Sequence, residues 1–558
     1  MIHRLLSNTL LAWFPVQVTM VMLPLNIYAH NRNEFAHNIT AIVPFLATAI
    51  LLFPLLLAVT AVGKRFAPLV SHTLLFIGLF VLISDVLAPP RLGLMDGRET
   101  SQTSAILSLI QLLLFAIFVV LWWRLPINLT RAFAVPAILA ILLQQALQLA
   151  YEFKISPPPP VDRVVPKLAR TDLNRPNVYQ VVLDGYSSLM FQRAAAESGF
   201  SGQLNGFTFF QNNIANYTVT DASVPSFLTG RLFKGGSFKE FQAEAKSGGL
   251  RLELQKAGYE ISVYSPDKSR PWSYDGASHI YTSADIASSN WPQIFLIVLA
   301  RATPEILRHK VYRIANRFLG YRYYRRLSIP LMQKFLSEEG NRGDEGQYVY
   351  IHLMVPHEPF VWDPQCRSTH QSSYGAQIAC ATKLMSSFVT RLKELNRYAN
   401  SMIIIQSDHG WENQIDAQDI FRTPSNEVRK KVESSDRYFD AKGVFLRVHS
   451  LLLIKPPNSE PTPLRISSEI TQLADIPATV RSLLKLQPQP GDGHSVFDLI
   501  GTDEREISVF TGFYNRNAKG QIMVLGGNVD RATLAHIGYR ESRGWTILSD
   551  VEATHEGW

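Results

Sequence analysis

Five long apolar runs near the N-terminus constrain the fold of this chain more than any other feature. The 558-residue sequence carries them at Leu10–Tyr28, Ile42–Val62, Leu69–Leu87, Ala105–Trp123 and Ala132–Tyr151. About twenty apolar residues suffice for an α-helix to cross the hydrocarbon core of a bilayer. Buried helices of a soluble domain are the alternative, but such runs rarely follow one another five times. The first run does not fit a cleaved signal peptide, because no small-residue cleavage site follows it. The sequence therefore predicts a transmembrane domain of five helices over residues 1–151.

Basic residues in the short loops predict the orientation of these helices. One side carries Arg4, Lys64, Arg65, Arg124 and Arg131. On the other side, acidic residues offset the arginines, and an excess of Lys and Arg marks the cytoplasmic side. An odd number of spans then places everything after Tyr151 outside. In a bacterium, we expect a multi-pass protein of the cytoplasmic membrane whose second half lies in the periplasm or on the outer face.

The net charge and the cysteine content indicate which partners and which compartment to expect. The net charge is +8, from 54 basic and 46 acidic residues, which is only mildly basic for this length and does not indicate nucleic acid as a partner. Both cysteines, Cys366 and Cys380, fall in the predicted exported part. An oxidising compartment favours a disulfide between them, and two separate buried thiols are the alternative.

The exported part begins with a linker and continues as an α/β domain. Residues 152–176 form the linker, which includes the stiff run Ser156–Pro160. Strand-like runs then alternate with helical stretches over residues 177–558, which predicts a mainly parallel central sheet covered by helices. The runs are Asn177–Leu183, Tyr259–Tyr264, Tyr348–Met354, Met402–Gln406 and Leu451–Ile454, with helices predicted over Phe238–Ala257 and Ala376–Asn396.

Acids and imidazoles follow three of these strands. Asp184 ends the first strand, His357 follows the third, and Asp408-His409 follow the run Met402–Gln406. Ligand sites of open α/β sheets form at the carboxyl edge, where such residues converge. A carboxylate beside an imidazole suits a divalent cation such as Zn²⁺ or Mn²⁺. Taken alone, Asp408-His409 also fits a helix N-cap aspartate followed by a loop histidine.

The segment Asn216–Gly230 is the best place for a nucleophile. It reads as a loop entering a helix, and helix N-termini favour anions. A hydroxyl at that position, such as that of Thr220, can attack phosphorus when it is activated by a metal ion. A plain threonine N-cap is the alternative interpretation.

The order Asp184, Thr220, His357, Asp408-His409 resembles the alkaline phosphatase and sulfatase superfamily. With five preceding spans, the chain most resembles its membrane-anchored phosphoethanolamine and phosphoglycerol transferases, including lipoteichoic acid synthases. In those enzymes a threonine likewise stands three residues before Ser-Val-Pro, which here is Ser223–Pro225. Later motifs that fit are Leu254–Tyr259, Asp475–Thr479 and Gly491–Ser495.

The resemblance implies a role for each matching residue. Thr220 would be the nucleophile and a metal ligand, and Asp184, Asp408 and His409 would complete the metal shell. His357 would contact the phosphate or protonate the leaving group, and we add Asn216 and His449 as candidate substrate-binding residues. The implied reaction transfers a head group from a phospholipid donor, through phospho-Thr220, to an envelope glycan or lipid acceptor. One divalent ion is expected, Zn²⁺ or Mn²⁺, with Mg²⁺ as a further candidate.

Departures from the family pattern sharpen these expectations. Phe227 stands where sulfatases have the arginine of Cys/Ser-x-Pro-x-Arg, so maturation to a formylglycine enzyme is not expected. No second histidine follows Asp408-His409-Gly410 before His449, which favours one firmly held metal. Asp184 replaces the longer glutamate common in the transferases. Two alternatives stay open: a sulfatase-like phosphatase or phosphodiesterase, and a non-catalytic lipid-sensing regulator.

The segment Ile294–Leu327 permits two interpretations. It opens with a short apolar run and continues with eight basic residues, interleaved with aromatic ones, against the single acid Glu305. It fits a solvated helix pair that packs one apolar face. It also fits an interfacial segment resting on anionic headgroups.

Overall fold

The chain forms two compact units in a computed structural model. The described residues are 2–30, 39–87, 104–155, 175–265, 274–282, 291–319, 328–344, 346–369, 371–412, 424–436, 440–499, 505–516, 522–524 and 531–554. The helical unit comprises Met1–Val161 and Ala287–Tyr324, and the α/β unit comprises Asp162–Ile286 and Arg325–Trp558. The sequence prediction assigned residues 287–324 to the exported domain, whereas the structure groups them with the apolar helices.

The α-helices and β-strands are numbered in chain order. The helices are α1 Ile2–Gln17, α2 Leu23–His30, α3 Val43–Val62, α4 Ala67–Leu87, α5 Ala105–Arg124, α6 Ile127–Ile155, α7 Ser188–Glu197, α8 Thr220–Thr229, α9 Phe238–Ser247, α10 Gly249–Lys256, α11 Trp291–Ala302, α12 Glu305–Leu319, α13 Ser328–Glu338, α14 Tyr374–Glu394, α15 Asn426–Ser435, α16 Ala441–Arg447 and α17 Ile476–Leu484. The strands are β1 Val178–Leu183, β2 Thr208–Phe210, β3 Asn213–Ile214, β4 Gly236–Ser237, β5 Glu260–Ser265, β6 His279–Thr282, β7 Gln347–Leu353, β8 Met402–Gln406, β9 Leu452–Lys455, β10 Arg465–Ser467, β11 Thr471–Gln472, β12 Ile507–Thr511, β13 Tyr514–Arg516, β14 Ile522–Val524, β15 Arg531–Arg540, β16 Gly544–Ile547 and β17 Val551–Thr554.

The helical unit confirms the five predicted apolar helices. Helical segments long and apolar enough to cross a membrane run over His3–His30, Ile39–Val62, Ala67–Leu87, Ala105–Arg124 and Ile127–Lys154. Many large apolar side chains on α3, α5 and α6 are exposed, which is the pattern of helices whose surroundings are themselves apolar.

Two further helices, α11 and α12, belong to the helical unit. On α11, Ile294 and Val298 are buried in the same apolar cluster as residues of α1 and α4. Arg301 makes a bidentate ion pair with Asp85 of α4, at 2.7 and 2.6 Å. Glu305, at the start of α12, accepts a hydrogen bond from the backbone amide of Ser104 at 2.9 Å. The apolar face of this basic segment therefore packs on the other helices of the unit, while residues 320–327 lie outside the described part.

The α/β unit is built on an eight-stranded sheet in the order β10-β2-β9-β8-β1-β7-β5-β6. Strands β8, β1, β7, β5 and β6 are parallel to one another, and β9 runs antiparallel between β8 and β2. This confirms the predicted mainly parallel sheet. Every residue of β1, β7 and β8 is buried, because helices cover both faces of the sheet.

Side chains of β1 alternate between the two apolar cores. Tyr179, Val181 and Leu183 pack on the face that α14 covers. Val178 and Val182 pack on the opposite face with residues of α8 and α10. The single helix predicted over Phe238–Ala257 is instead two, because Gly249 adopts a positive φ of 64° that breaks the helix after Ser247.

A disulfide and a second sheet complete the α/β unit. Cys366 and Cys380 form the predicted disulfide, with 5.0 Å between their Cα atoms, which ties the loop after β7 to α14. Strands β12, β15, β16, β17 and β4 form the second sheet, which is mainly antiparallel. Its apolar side chains pack with those of α15 and α16.

Candidate metal centre

Three neighbouring parallel strands deliver the site to one edge of the sheet. Strand β1 lies between β8 and β7, so that Val182 is level with Gln406 on one side and His352 on the other. The residues that follow β1 and β8 therefore emerge together, and these are Asp184 and Asp408-His409. The structure thus brings together the residues that the sequence placed at the carboxyl edge.

Asp184 stands at the centre of the cluster. Its carboxylate is buried, and neither oxygen accepts a hydrogen bond from the described residues. The Nε2 atoms of His352, His409 and His357 lie at 3.6, 3.8 and 3.9 Å from these oxygens. Burial raises the pKa of the Asp184 carboxyl, but the imidazoles of His357, His352 and His409 outweigh it and hold that pKa well below its usual range.

Asp408 offers one fixed oxygen and one open oxygen. Oδ1 accepts hydrogen bonds from the backbone amides of Gly185 and His409, each at 3.0 Å. Oδ2 is buried without a hydrogen-bond partner and lies 3.5 Å from His409 Nε2. Gly185 has a φ of +73°, so the turn that aims its amide at Asp408 favours glycine.

The imidazoles of His409 and His357 are oriented by backbone carbonyls. His409 Nδ1 donates to Gly410 O at 2.7 Å, and His357 Nδ1 donates to Glu358 O at 2.8 Å. Each ring therefore presents Nε2 to the carboxylates. Burial, and then the charge of Arg447, lower the pKa of His409, so the neutral ring with an Nε2 lone pair is favoured. That is the form that binds metal ions.

These groups fit a divalent cation. Two overlapping sets of ligand atoms, Asp184–His357–His409 and Asp184–His352–Asp408, each lie within 4.8 Å of one another. Ligands at about 2.1 Å from a tetrahedral ion stand about 3.4 Å apart, close to the separations seen here. Buried carboxylate oxygens without hydrogen bonds are costly unless a cation compensates them. The donor set of carboxylates and imidazoles suits Zn²⁺ or Mn²⁺.

Thr220 lies beside this cluster at the first residue of α8. Its Oγ1 is 3.5 Å from His409 Nε2, and its side chain is partly exposed. The neighbouring Ser223 is instead buried, and its hydroxyl donates to Tyr217 O at 3.2 Å. Of these two hydroxyls, the one on Thr220 is therefore placed to reach a substrate.

The two candidate substrate-binding residues, Asn216 and His449, are both buried in the fold. Asn216 is buried, and its amide donates to Gln472 Oε1 at 2.7 Å and to Ser508 O at 2.9 Å, while its Oδ1 accepts from Ala474 N. These bonds join the nucleophile segment to β11 and β12. His449 is also buried, just before β9. A contact of either side chain with substrate stays a prediction.

His449 predicts acid sensitivity of the fold. Burial lowers its pKa to about 3, against about 6.5 in an unfolded chain. Between these values the unfolded state binds more protons, so stability falls as the pH drops from about 6.5 towards 3. At pH 5 this amounts to roughly 2 kcal/mol.

We expect His449→Gln to flatten that pH dependence, measured as the midpoint of chemical unfolding at pH 7 and pH 5. His494→Gln, at a histidine whose ring is closer to the surface, serves as the matched control. An unchanged pH slope in His449→Gln would assign the acid sensitivity to other groups.

Three residues of the site were not predicted from the sequence. His352 lies within β7 and touches Asp184 only because of strand register. Arg447 donates to His409 Nε2 from Nη2 at 3.0 Å. Trp411 packs edge-on against His357, with ring centroids 4.7 Å apart. A histidine inside an otherwise apolar strand, next to an acid-bearing strand, was the available signal for His352.

Fold and site together define an α/β domain with a carboxylate–imidazole centre at the carboxyl edge of its sheet. Residues 175–437 match the family model named Sulfatase. This part of the chain is therefore similar to the Sulfatase family. No curated protein matches the chain.

Solved structures that are similar to the chain include hydrolases and transferases. The phosphonate monoester hydrolase SpPMH from Silicibacter pomeroyi is 14% identical, with a TM-score of 0.41 over 69% of this chain and 90% of that one. The periplasmic domain of the phosphoethanolamine transferase EptC from Campylobacter jejuni is 15% identical, with a TM-score of 0.36 over 57% and 97%. The lipoteichoic acid synthase LtaP from Listeria monocytogenes is 14% identical, with a TM-score of 0.38 over 67% and 87%.

Proposed function

We propose that the protein is a metal-dependent phosphotransferase that moves a phospholipid head group, phosphoethanolamine or phosphoglycerol, to an envelope glycan or lipid. The observation that carries the proposal is the Thr220 hydroxyl, partly exposed and 3.5 Å from His409 Nε2, beside buried carboxylates that need a cation. Five apolar helices in the same chain support a lipid donor. We place the protein in a bacterial cytoplasmic membrane with the α/β unit outside.

The proposed reaction has two displacement steps. Thr220 Oγ1 loses its proton and attacks the phosphorus of the donor. The Thr220–phosphorus bond forms, the bond to the diacylglycerol oxygen breaks, and that oxygen takes up a proton. The acceptor hydroxyl then attacks the same phosphorus, loses its proton, and returns the hydroxyl to Thr220. Water in place of the acceptor would make the protein a hydrolase.

Different residues of the site have different roles in the proposed reaction. Asp184, Asp408 and His409 would hold a divalent ion, which when bound would neutralise phosphoryl charge and lower the pKa of the attacking hydroxyl. His357, fixed through Nδ1, presents Nε2 for exchanging a proton with the leaving or attacking oxygen. The first amides of α8 add partial positive charge for the phosphoryl oxygens.

Peptide mass spectrometry after reaction of the full-length protein tests the proposal. The full-length protein is incubated with phosphatidylethanolamine or phosphatidylglycerol vesicles without acceptor, then digested. We expect a head-group phosphate on the peptide containing Thr220, lost when a glycan acceptor is added and the modified glycan appears.

Three outcomes would contradict the proposal. Head-group release to water that an acceptor does not redirect would indicate a hydrolase. An adduct on another residue would refute the assignment of Thr220. A full-length protein that binds no divalent ion and forms no adduct would indicate a non-catalytic lipid sensor.

A further inference from the structure

Arg447 is a buried cation that reaches directly into the site. It is the last residue of α16 and is only 4% exposed. Its Nε donates to Thr218 O at 2.8 Å, its Nη1 donates to Glu412 Oε2 at 2.6 Å, and its Nη2 donates to His409 Nε2 at 3.0 Å. The guanidinium lies over the Trp411 ring, 5.4 Å from its centroid. Two contacts thus hold the group while the third points at the candidate metal centre.

The contact with His409 is incompatible with a cation on the same nitrogen. His409 Nδ1 already donates to Gly410 O, so Nε2 has one lone pair. A divalent ion that takes this lone pair removes the acceptor of Arg447 Nη2 and adds positive charge beside a guanidinium that cannot lose its proton. An anion between the two cations resolves both problems, because it accepts the hydrogen bond and balances the charge.

The nucleophile identifies that anion. Thr220 Oγ1 and Arg447 Nη2 both lie beside His409 Nε2, at 3.5 and 3.0 Å. Arg447 Nε also holds Thr218 O, two residues before Thr220, so the guanidinium and the nucleophile segment are fixed to each other. A phosphoryl group on Thr220 would therefore carry its non-bridging oxygens to the same place as Nη2. Arginine N–H groups match phosphate oxygens in geometry and charge.

We propose that Arg447 binds a non-bridging phosphoryl oxygen of the substrate and of phospho-Thr220, and that Glu412 positions it. This deepens the proposed function and rests on it for the identity of Thr220 as nucleophile. The ligand class is a phosphate mono- or diester. In this assignment Arg447 supplies the positive charge that a second metal ion would supply.

Binding of inorganic phosphate to the full-length, metal-loaded protein tests the inference. Calorimetry is to compare the original protein with Arg447→Gln and Arg447→Lys, with bound metal counted in each. Charged hydrogen bonds of this kind correspond to a loss of roughly 10- to 100-fold in affinity for Arg447→Gln, at unchanged metal content. Arg447→Lys should recover part of it. Glu412→Gln, which leaves the cation but loosens it, should lose less.

Arg481→Gln is the matched control, because Arg481 is also a buried arginine that pairs with a partly exposed glutamate, Glu253, at 2.7 and 2.8 Å. Its phosphate affinity should equal that of the original protein. Unchanged phosphate affinity in Arg447→Gln, with the metal retained, overturns the inference. So does a loss that Arg481→Gln shares in full.

The two proposals fail in distinguishable ways. If the Thr220 adduct forms but Arg447→Gln binds phosphate normally, the role of Arg447 is wrong and the phosphotransferase proposal stands. If Arg447→Gln weakens phosphate binding but no Thr220 adduct forms in the original protein, the phosphate site stands and the transfer mechanism is wrong. With lipid donor, Arg447→Gln should raise KM more than Arg481→Gln does.

Discussion

Asp184→Asn is expected to remove the bound metal and to lower turnover at least about a thousandfold. The Asp184 carboxylate is shared by both sets of candidate ligand atoms, and both of its oxygens are buried without hydrogen-bond partners. An amide of the same shape removes the negative charge that the cation compensates. Metal ions supply several kcal/mol of charge stabilisation in reactions of this class, and about 1.4 kcal/mol corresponds to a factor of ten in rate.

Elemental analysis and turnover with a lipid donor are the measurements for Asp184→Asn. Asp550→Asn is the matched control, because that carboxylate sits at the surface and pairs with Lys431. It should keep full metal content and activity, since surface ion pairs contribute little. A metal-loaded Asp184→Asn protein with normal turnover would show that the catalytic centre lies elsewhere.

Thr220→Ala is expected to lower turnover by about 10⁴-fold or more while the metal stays bound. The hydroxyl is the only part of the side chain that can form the covalent intermediate, and loss of a nucleophile removes a whole reaction path. Asp408 and His409 keep their positions, because their orienting bonds come from backbone groups of Gly185 and Gly410 rather than from Thr220.

Two further variants serve as controls for Thr220→Ala. Thr220→Ser keeps a hydroxyl at the same place and should retain measurable turnover and the covalent adduct. Thr229→Ala removes a hydroxyl from the same helix that donates to Pro225 O, so it should lose about 1 kcal/mol of stability but little activity. Turnover in Thr220→Ala equal to that in Thr229→Ala would rule out Thr220 as the nucleophile.

The apolar helices and the strands that carry the site were predictable from local pattern. Runs of about twenty apolar residues have few other solutions, and the five helices appear where they were expected. The buried strands β1, β7 and β8 read as short apolar runs that end at polar residues. When such strands are parallel and adjacent, their carboxyl ends lie at the same edge of the sheet. Asp184 and Asp408 therefore lie close together.

The remaining site residues depend on register and tertiary packing. His352 reaches Asp184 only because β7 pairs with β1 in one particular register. Arg447 lies 38 residues after His409 in the chain and meets it through the packing of α16. The pattern of apolar and polar residues along a helix or strand does not predict contacts between residues that are far apart in the chain.

The assignment of residues 287–324 to the helical unit also could not be predicted from the local sequence. The apolar run that begins at Ile294 is too short to span a bilayer, so nothing local marks it as a partner of the apolar helices. Its place is set by Ile294 and Val298 in a distant core and by the pairing of Arg301 with Asp85. The sequence does not show which acid an arginine such as Arg301 will pair with, because the two partners are far apart in the chain.

The return of the chain into the helical unit has a consequence for severing the protein. The polypeptide passes between the units three times, near residues 161, 286 and 324. A single proteolytic cut in the proline-rich linker therefore leaves the α/β unit joined by two peptide connections to the segment that carries α11 and α12. Because α11 packs with residues of α1 and α4, we expect the cut protein to stay together. Release of the α/β unit free of the helical unit would require two more cuts, and the released unit would lack α11 and α12.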